Sequence, residues 1–251
     1  MNFRYRLPAN VSASVAVILT LSFAALVTGV SLHAQSAGGD LQARVAELKE
    51  SMAKNKATLA QYTWQETVKI ILKGEEKKTE HFQVHQGPDG KPVKTSLDPA
   101  APAAQQASGG RGGRLKEHVV EKKKEEFKEY ADQMKELAQH YVPPDKDAIQ
   151  EALQKGNISI VPGGDLPGES KLVIHNYYKN GDSMTLRFDK NQKQLQAISI
   201  ASYMDNPQDA MNLTVVFGRL PDGTNHVSTT TIEGVSKQLT VNTTNSDYQK
   251  M

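Results

Sequence analysis

The sequence predicts an α+β fold in which a strongly curved antiparallel sheet, a half-open β-barrel, carries helices across its concave face. Two observations lead to this prediction. About nine segments alternate apolar and polar residues and are separated by turns rich in Gly, Asn and Asp, which is typical of an antiparallel meander with one dry face. Two further segments repeat apolar residues at helical spacing, and their apolar stripes can fill the inside of a curved sheet.

The amino end has the pattern of a secretory signal peptide over residues 1–34. Arg4 and Arg6 precede an apolar stretch at 11–30, and small residues around Ala34 suit cleavage there. The alternative is an uncleaved anchor, because this stretch is about as long as a membrane-spanning helix. Its several hydroxyl residues favour cleavage, and we therefore expect a periplasmic or secreted protein.

Charge and cysteine content exclude several classes of function. The chain has 30 Lys+Arg and 28 Asp+Glu, and loss of Arg4 and Arg6 with the leader leaves 28 of each sign. A neutral mature protein does not favour nucleic acid or an anionic membrane as partner. Cysteine is absent, which excludes disulfides, a thiol nucleophile, a cysteine metal site and a lipid-modified amino terminus.

The mature part is expected to be one domain over residues 35–251, opening with an amphipathic helix at 41–59. A two-residue alternation begins at Tyr62 and predicts a hairpin of two strands, followed by a short third strand. These strands are placed at 62–72, 77–85 and 93–97. Residues 98–114 consist mostly of Ala, Pro, Gln, Ser and Gly without periodicity, which indicates a flexible loop.

A helical insert is expected at 115–155. Helical spacing runs from Leu115 to Tyr141, and Pro143 and Pro144 end it. A short second helix follows, capped by Asp145 or Asp147 and stopped at Gly156. The remaining chain predicts a meander of strands at 158–161, 171–178, 183–189, 194–203, 211–218, 225–233 and 237–247.

This order of elements resembles the periplasmic lipoprotein-carrier superfamily (LolA/LolB-like). The local signals are the Tyr62-Thr63-Trp64 entry to the first strand, the turn at 221–224 and the tail near Tyr248. The resemblance implies an unclosed barrel and a helical lid around an apolar cavity that takes acyl chains of lipids or lipoproteins. It therefore implies a monomeric, non-enzymatic carrier or sensor without a cofactor. The chain departs from the family in its long charged helix and in lacking a residue that matches a gating arginine.

The apolar face itself is the candidate ligand site. A cavity requires the helices to move away from the sheet, and the flexible loop before Leu115 permits such motion. The alternative is an ordinary packed core. The residues expected to line the cavity are Trp64, Phe82, Val119, Phe127, Met134, Leu137, Leu186 and Phe217.

Other motifs favour ordinary structure over chemistry. His81 and His85 are spaced to lie on one strand surface without a third metal ligand, and the Gly/Arg segment at 109–114 is typical of a solvated hinge. The acidic residues are expected in turns and on the charged helix, so we expect no paired carboxylates in apolar surroundings and no catalysis by such a pair. A hydrolase would need His175 or His226 gathered with a carboxylate and a hydroxyl group. The remaining alternative is a non-enzymatic envelope interaction protein that holds no ligand.

Overall fold

The computed structural model describes residues 55–88, 90–99, 113–162, 169–189, 191 and 194–251, without the side chains of 113–121, 124, 146 and 162. The predicted signal peptide at 1–34, most of the helix at 41–59 and most of the loop at 98–114 lie outside the described residues. Among the residues that are described, no helix is both long and apolar enough to cross a membrane.

Over the described ranges the chain forms ten strands, two complete helices and a helical segment at 55–59. The bounds are β1 Tyr62–Leu72, β2 Glu75–Gln86, β3 Pro92–Ser96, α1 Gly113–Gln139, α2 Lys146–Gln154, β4 Ile158–Pro162, β5 Glu169–His175, β6 Ser183–Asp189, β7 Gln194–Tyr203, β8 Ala210–Arg219, β9 Asn225–Gly234 and β10 Leu239–Lys250.

All ten described strands belong to one antiparallel sheet, in the order β3-β2-β1-β10-β9-β8-β7-β6-β5-β4. Strands that follow each other in the chain are neighbours in the sheet, except β3 and β4, and β1 pairs with β10 as well as with β2, which brings the first and last strands together. In the described part, β3 and β4 are the edges and do not pair, so the sheet is not closed. The prediction of an α+β fold on an antiparallel sheet is confirmed.

One face of this sheet, which we call the dry face, is buried. In β1 the even-numbered residues from Tyr62 to Leu72 are buried, whereas Gln65 and Lys69 on the other face are exposed. Cross-strand pairs such as Ile70 with Val241 continue the buried face into β10. The two-residue period therefore places the apolar side chains together across the strands.

The carboxyl half of α1 packs on the dry face near one end of the strands. The α1 side chains Tyr130 and Met134 lie so close to Gly234 that a Cβ atom there would be 2.4 Å from Tyr130 Cε1 and 2.8 Å from Met134 Sδ. Just beyond the helix, the Tyr141 hydroxyl group meets Ser202 Oγ of β7 at 2.7 Å. Ser202 and Gly234 both pair with Met211 of β8. Consequently α1 runs across the strands, from β9 towards β7.

The second helix begins and ends where the sequence predicts. Asp145 is the N-cap, and its carboxylate accepts from the backbone N–H groups of Asp147 and Ala148 at 2.7 and 3.0 Å. Gly156 follows the helix with φ +72°, a left-handed conformation that glycine adopts without a steric penalty.

Candidate functional site

Beyond the part contacted by Tyr130 and Met134, the dry face carries a set of polar side chains on the five neighbouring strands β9, β10, β1, β2 and β3. Directly paired residues form rows across the strands, and the polar side chains lie in three successive rows. The first row contains Thr230, Val68 and Glu80, and the second contains Asn245 and Glu66. The third row contains Trp64, Val84 and Lys94. We call this set the polar patch, and its members are Trp64, Glu66, Glu80, Lys94, Thr230 and Asn245.

A buried ion pair lies at the centre of the polar patch. Glu66 is 2% exposed and accepts from Lys94 Nζ at 2.5 Å. Burial raises the pKa of Glu66, although the positive charge of Lys94 opposes this shift. Burial lowers the pKa of Lys94, and the negative charge of Glu66 opposes that shift in turn. Each partner is therefore held in its charged form by the other while burial disfavours the charge.

The expectation that the acidic residues lie in turns and on the charged helix is wrong for Glu66. Glu66 occupies an even-numbered position of β1 between Trp64 and Val68, and all three side chains are buried. The two-residue period of this strand was the signal that places Glu66 on the dry face. Glu169 and Asp182 are buried as well.

Four buried polar atoms of the polar patch have no hydrogen-bond partner among the described residues: Trp64 Nε1, Glu80 Oε2, Thr230 Oγ1 and Asn245 Oδ1. Trp64, Thr230 and Asn245 are only 3%, 2% and 7% exposed. Most buried polar groups in folded proteins are hydrogen-bonded, because an unpaired group loses its bonds to water. Four such atoms on neighbouring strands therefore mark this end of the dry face as unlike an ordinary core.

Aromatic rings border the polar patch on the β9–β10 side. Trp64 stacks on Tyr248 with ring centroids 5.5 Å apart, and His226 lies 4.2 Å from the same tyrosine ring. The Tyr248 hydroxyl group donates to the Val227 carbonyl oxygen at 3.1 Å. Burial raises the pKa of Tyr248 and lowers the pKa of His226, so both rings are held in their neutral forms.

The eight predicted cavity residues divide into groups. Met134, Leu137 and Leu186 are buried in the continuous apolar core, and Phe82, Phe127 and Phe217 are partly buried at its margin. Trp64 is buried but does not belong to that core. The side chain of Val119 lies outside the described residues. The structure thus brings six of the eight together around one core and places Trp64 in the polar patch.

The described residues contain no cluster of three or more His, Asp or Glu side chains suited to a metal ion. His81 pairs with Asp98 at 2.9 Å near the sheet edge. His226 Nδ1 lies 3.1 Å from the carbonyl oxygen of Val227 and its ring contacts Tyr248. The residues missed by sequence reasoning are thus the polar members of the dry face.

Three solved structures are similar to this chain. A DUF1329 family protein from Desulfovibrio piger is 12% identical, with a TM-score of 0.39 over 82% of this chain and 92% of that chain. A LolA superfamily protein from Nitrosomonas europaea is 9% identical, with a TM-score of 0.40 over 84% of this chain and 93% of that chain. A putative outer membrane lipoprotein-sorting protein domain from Vibrio parahaemolyticus is 10% identical, with a TM-score of 0.38 over 83% of this chain and 93% of that chain. Two of these neighbours, the LolA superfamily protein and the lipoprotein-sorting domain, carry the name of the family that the sequence resembles. No protein-family model and no curated protein sequence matches the chain.

Proposed function

We propose that the protein is a periplasmic or secreted, non-enzymatic carrier or binder of apolar ligands, which it holds between the dry face of the sheet and α1. The ligands are acyl chains of lipids or lipoproteins. The observation that carries the proposal is the incomplete cover of the dry face. Phe82, Phe127 and Phe217, from β2, α1 and β8, pack against the apolar core but remain partly exposed at its margin. Large apolar side chains left in this way favour a further apolar occupant.

The contacts of α1 support a sheet that curves around this helix. Met134 lies against Gly234 of β9, whereas the charge of the next residue, Lys135, helps burial to lower the pKa of Lys94 on β3. β9 and β3 are four strand intervals apart, about 19 Å in a flat sheet, while a helix with its side chains is about 10–12 Å wide. A contact with β9 and an electrostatic effect on β3, both from one helical turn, support the predicted position of α1 on the concave face.

Ligand entry requires α1 to move, because Met134, Leu137 and Leu186 are buried in the described conformation. Polar contacts fasten this end of α1 to loops. Tyr130 donates to Asp209 Oδ1 at 2.8 Å and Tyr141 donates to Asp182 Oδ2 at 2.5 Å. Each bond is worth roughly 1–3 kcal/mol. Burial of about ten methylene groups at about 0.8 kcal/mol each supplies about 8 kcal/mol, on the scale of micromolar binding.

Trp64 gives a direct test, because it is the only tryptophan of the chain and lies on the dry face. We expect delipidated protein titrated with a fluorescent fatty-acyl probe to show a saturable change in tryptophan emission. Trp64→Phe should abolish the tryptophan signal while the emission of the probe still reports binding. Absence of saturable binding in both readouts, with no lipid in extracts of natively purified protein, would contradict the proposal.

An envelope interaction protein without a ligand is the second candidate, favoured by the edge strand β4. Its residues Ile160 and Val161 are 53% and 45% exposed, and Leu153 of α2, in the preceding element, is 47% exposed. An exposed apolar edge strand offers unpaired backbone groups to another chain. Recovery of one stoichiometric protein from envelope extracts, lost on Ile160→Lys, would support this candidate.

A further inference from the structure

We propose that the polar patch binds the head of the ligand and selects an uncharged head rich in hydroxyl or amide donors, such as a glycerol or another polyol, over a carboxylate or a phosphate. This inference rests on the proposed function, because it assigns the polar end of the same site.

Neighbouring unpartnered atoms lie close enough together to contact one head group. Thr230, Asn245, Trp64 and Glu80 belong to the neighbouring strands β9, β10, β1 and β2, respectively, and to three successive rows of one face. Neighbouring strands are about 4.8 Å apart and successive rows about 7 Å apart. The unpartnered atoms therefore spread over about 14 Å in each direction, so a small head and its linkage contact neighbouring members of the set and not all four at once.

The balance of donors and acceptors decides which heads fit. Asn245 Oδ1 and the second carboxylate oxygen of Glu80 are acceptors, and the Thr230 hydroxyl group accepts as well as donates. The amide nitrogen of Asn245 is already engaged, since it donates to the Val227 carbonyl oxygen at 3.0 Å. Trp64 Nε1 is the single fixed donor among the four unpartnered atoms. A head with several O–H or N–H groups satisfies neighbouring members of this set, whereas an anionic head presents acceptors to acceptors.

The cations on this part of the dry face are already paired with carboxylates. Lys94 bonds Glu66, and Lys78 lies 2.7 Å from Glu80 Oε1. Among the described side chains, one further cation, Lys135 of α1, acts on Lys94. An anionic head would have to rely on Lys135 while it faced Glu66 and Glu80, and both the charge and the hydrogen-bond pattern thus favour an uncharged head.

The experiment compares three oleoyl compounds that differ only in their heads. Monooleoylglycerol, oleate and oleoyl lysophosphatidate compete for the full-length protein against one fluorescent fatty-acyl probe, below the concentrations at which they self-associate. We expect monooleoylglycerol to bind about tenfold more tightly than either anion. Equal affinities, or tighter binding of oleate or lysophosphatidate, would overturn the inference.

Thr230→Val is the informative variant, because it removes an unpartnered hydroxyl group and keeps the shape of the side chain. Its control is Thr231→Val, on the same strand and the opposite face. We expect Thr230→Val to reduce the preference for monooleoylglycerol over oleate about fivefold and to leave the urea midpoint unchanged. Thr231→Val should keep the preference.

The outcomes separate this inference from the proposed function. If no oleoyl compound competes, the proposed function and the inference both fail. If all three compete without a preference for the glycerol head, acyl binding stands and the inference alone fails. A Thr230→Val variant that keeps the full preference, or that unfolds at clearly lower urea because its hydroxyl group holds the fold together, also overturns the inference.

Discussion

Tyr141 ends the α1 region with its hydroxyl group inside the protein, where it donates to Asp182 Oδ2 at 2.5 Å and lies 2.7 Å from Ser202 Oγ. Asp182 also accepts from the backbone N–H groups of residues 177–179. Burial raises the pKa of Tyr141 well above its usual value, so the hydroxyl group stays a donor. One tyrosine thus joins α1 to the β5–β6 loop and to β7.

We predict that Tyr141→Phe lowers the free energy of unfolding by about 1–2 kcal/mol, because Ser202 loses a buried partner while Asp182 keeps its backbone donors. Urea unfolding measures the change. The control is Tyr203→Phe, which removes an exposed hydroxyl group that donates to the Asn180 carbonyl oxygen. A Tyr141→Phe variant as stable as the wild type would contradict the account of α1 attachment.

His226 gives a prediction on pH. Burial lowers the pKa of this side chain below the ordinary value of 6.5, so the unfolded state binds a proton at higher pH than the folded state does. The contribution of His226 to the free energy of unfolding is therefore fully present above about pH 6.5. It falls as the pH decreases from there towards the pKa of the folded state. The difference in unfolding free energy between wild type and His226→Gln should fall over this range. A difference that is constant between pH 7.5 and 5 would contradict burial of His226.

At the scale of elements, the contact between α1 and β9 depends on Gly234. The ring of Tyr130 occupies the space that a Cβ atom would fill, which lets the helix approach the strand closely. Gly218 of β8 is also tightly enclosed, but by His226 and not by α1, since a Cβ atom there would be 2.9 Å from His226 Nε2. Substitution of the two glycines therefore gives a test variant that affects α1, at Gly234, and a control variant that does not, at Gly218.

We predict that Gly234→Ala destabilises the protein by about 1–3 kcal/mol, because the added methyl group meets the Tyr130 ring and pushes α1 from the sheet. Binding of an environment-sensitive apolar dye should increase at the same time. Gly218→Ala strains the sheet but should not increase dye binding. An equal increase in both variants would mean that the dye reports general loosening and not movement of α1.

Much of the sheet was predictable because its information is local. Alternation along β6, β7 and β8 defines strands whose observed bounds differ little from the expected ones. The expected strand at 171–178 instead ends at His175, because Asn176 takes φ +53° and the following N–H groups donate to Asp182. That carboxylate approaches through the β5–β6 loop, and helical or strand periodicity does not reveal such contacts.

The candidate site was only partly predictable, because periodicity along one segment does not reveal contacts between distant segments. Periodicity identified the apolar side of α1, including Met134 and Leu137, and both side chains lie in the core. It did not reveal that Lys94 of β3 reaches Glu66 of β1, because that contact depends on how three strands pair. Nor did it reveal the unpartnered atoms of the polar patch, which are defined by burial across β9, β10, β1 and β2.

At the scale of the whole molecule, the proposed function requires a sheet that stays fixed and an α1 that moves away from it. The chain lacks cysteine, so a pair introduced by Tyr130→Cys and Gly234→Cys offers one possible disulfide. The two side chains approach each other, since a Cβ atom at Gly234 would lie 2.4 Å from the present Tyr130 Cε1 atom, and loss of both free thiols on oxidation verifies that the disulfide forms. Oxidation of this variant should hold α1 on β9, and reduction of the same sample is its own control.

The most direct measurement is titration of the oxidised and reduced forms of this variant with a fatty-acyl probe, with Trp64 emission and probe emission recorded together. We predict saturable micromolar binding to the reduced form and at least tenfold weaker binding to the oxidised form, because α1 must leave the dry face before an acyl chain can enter. Equal binding by the two forms, or no saturable binding by either, would contradict a ligand site between α1 and the sheet.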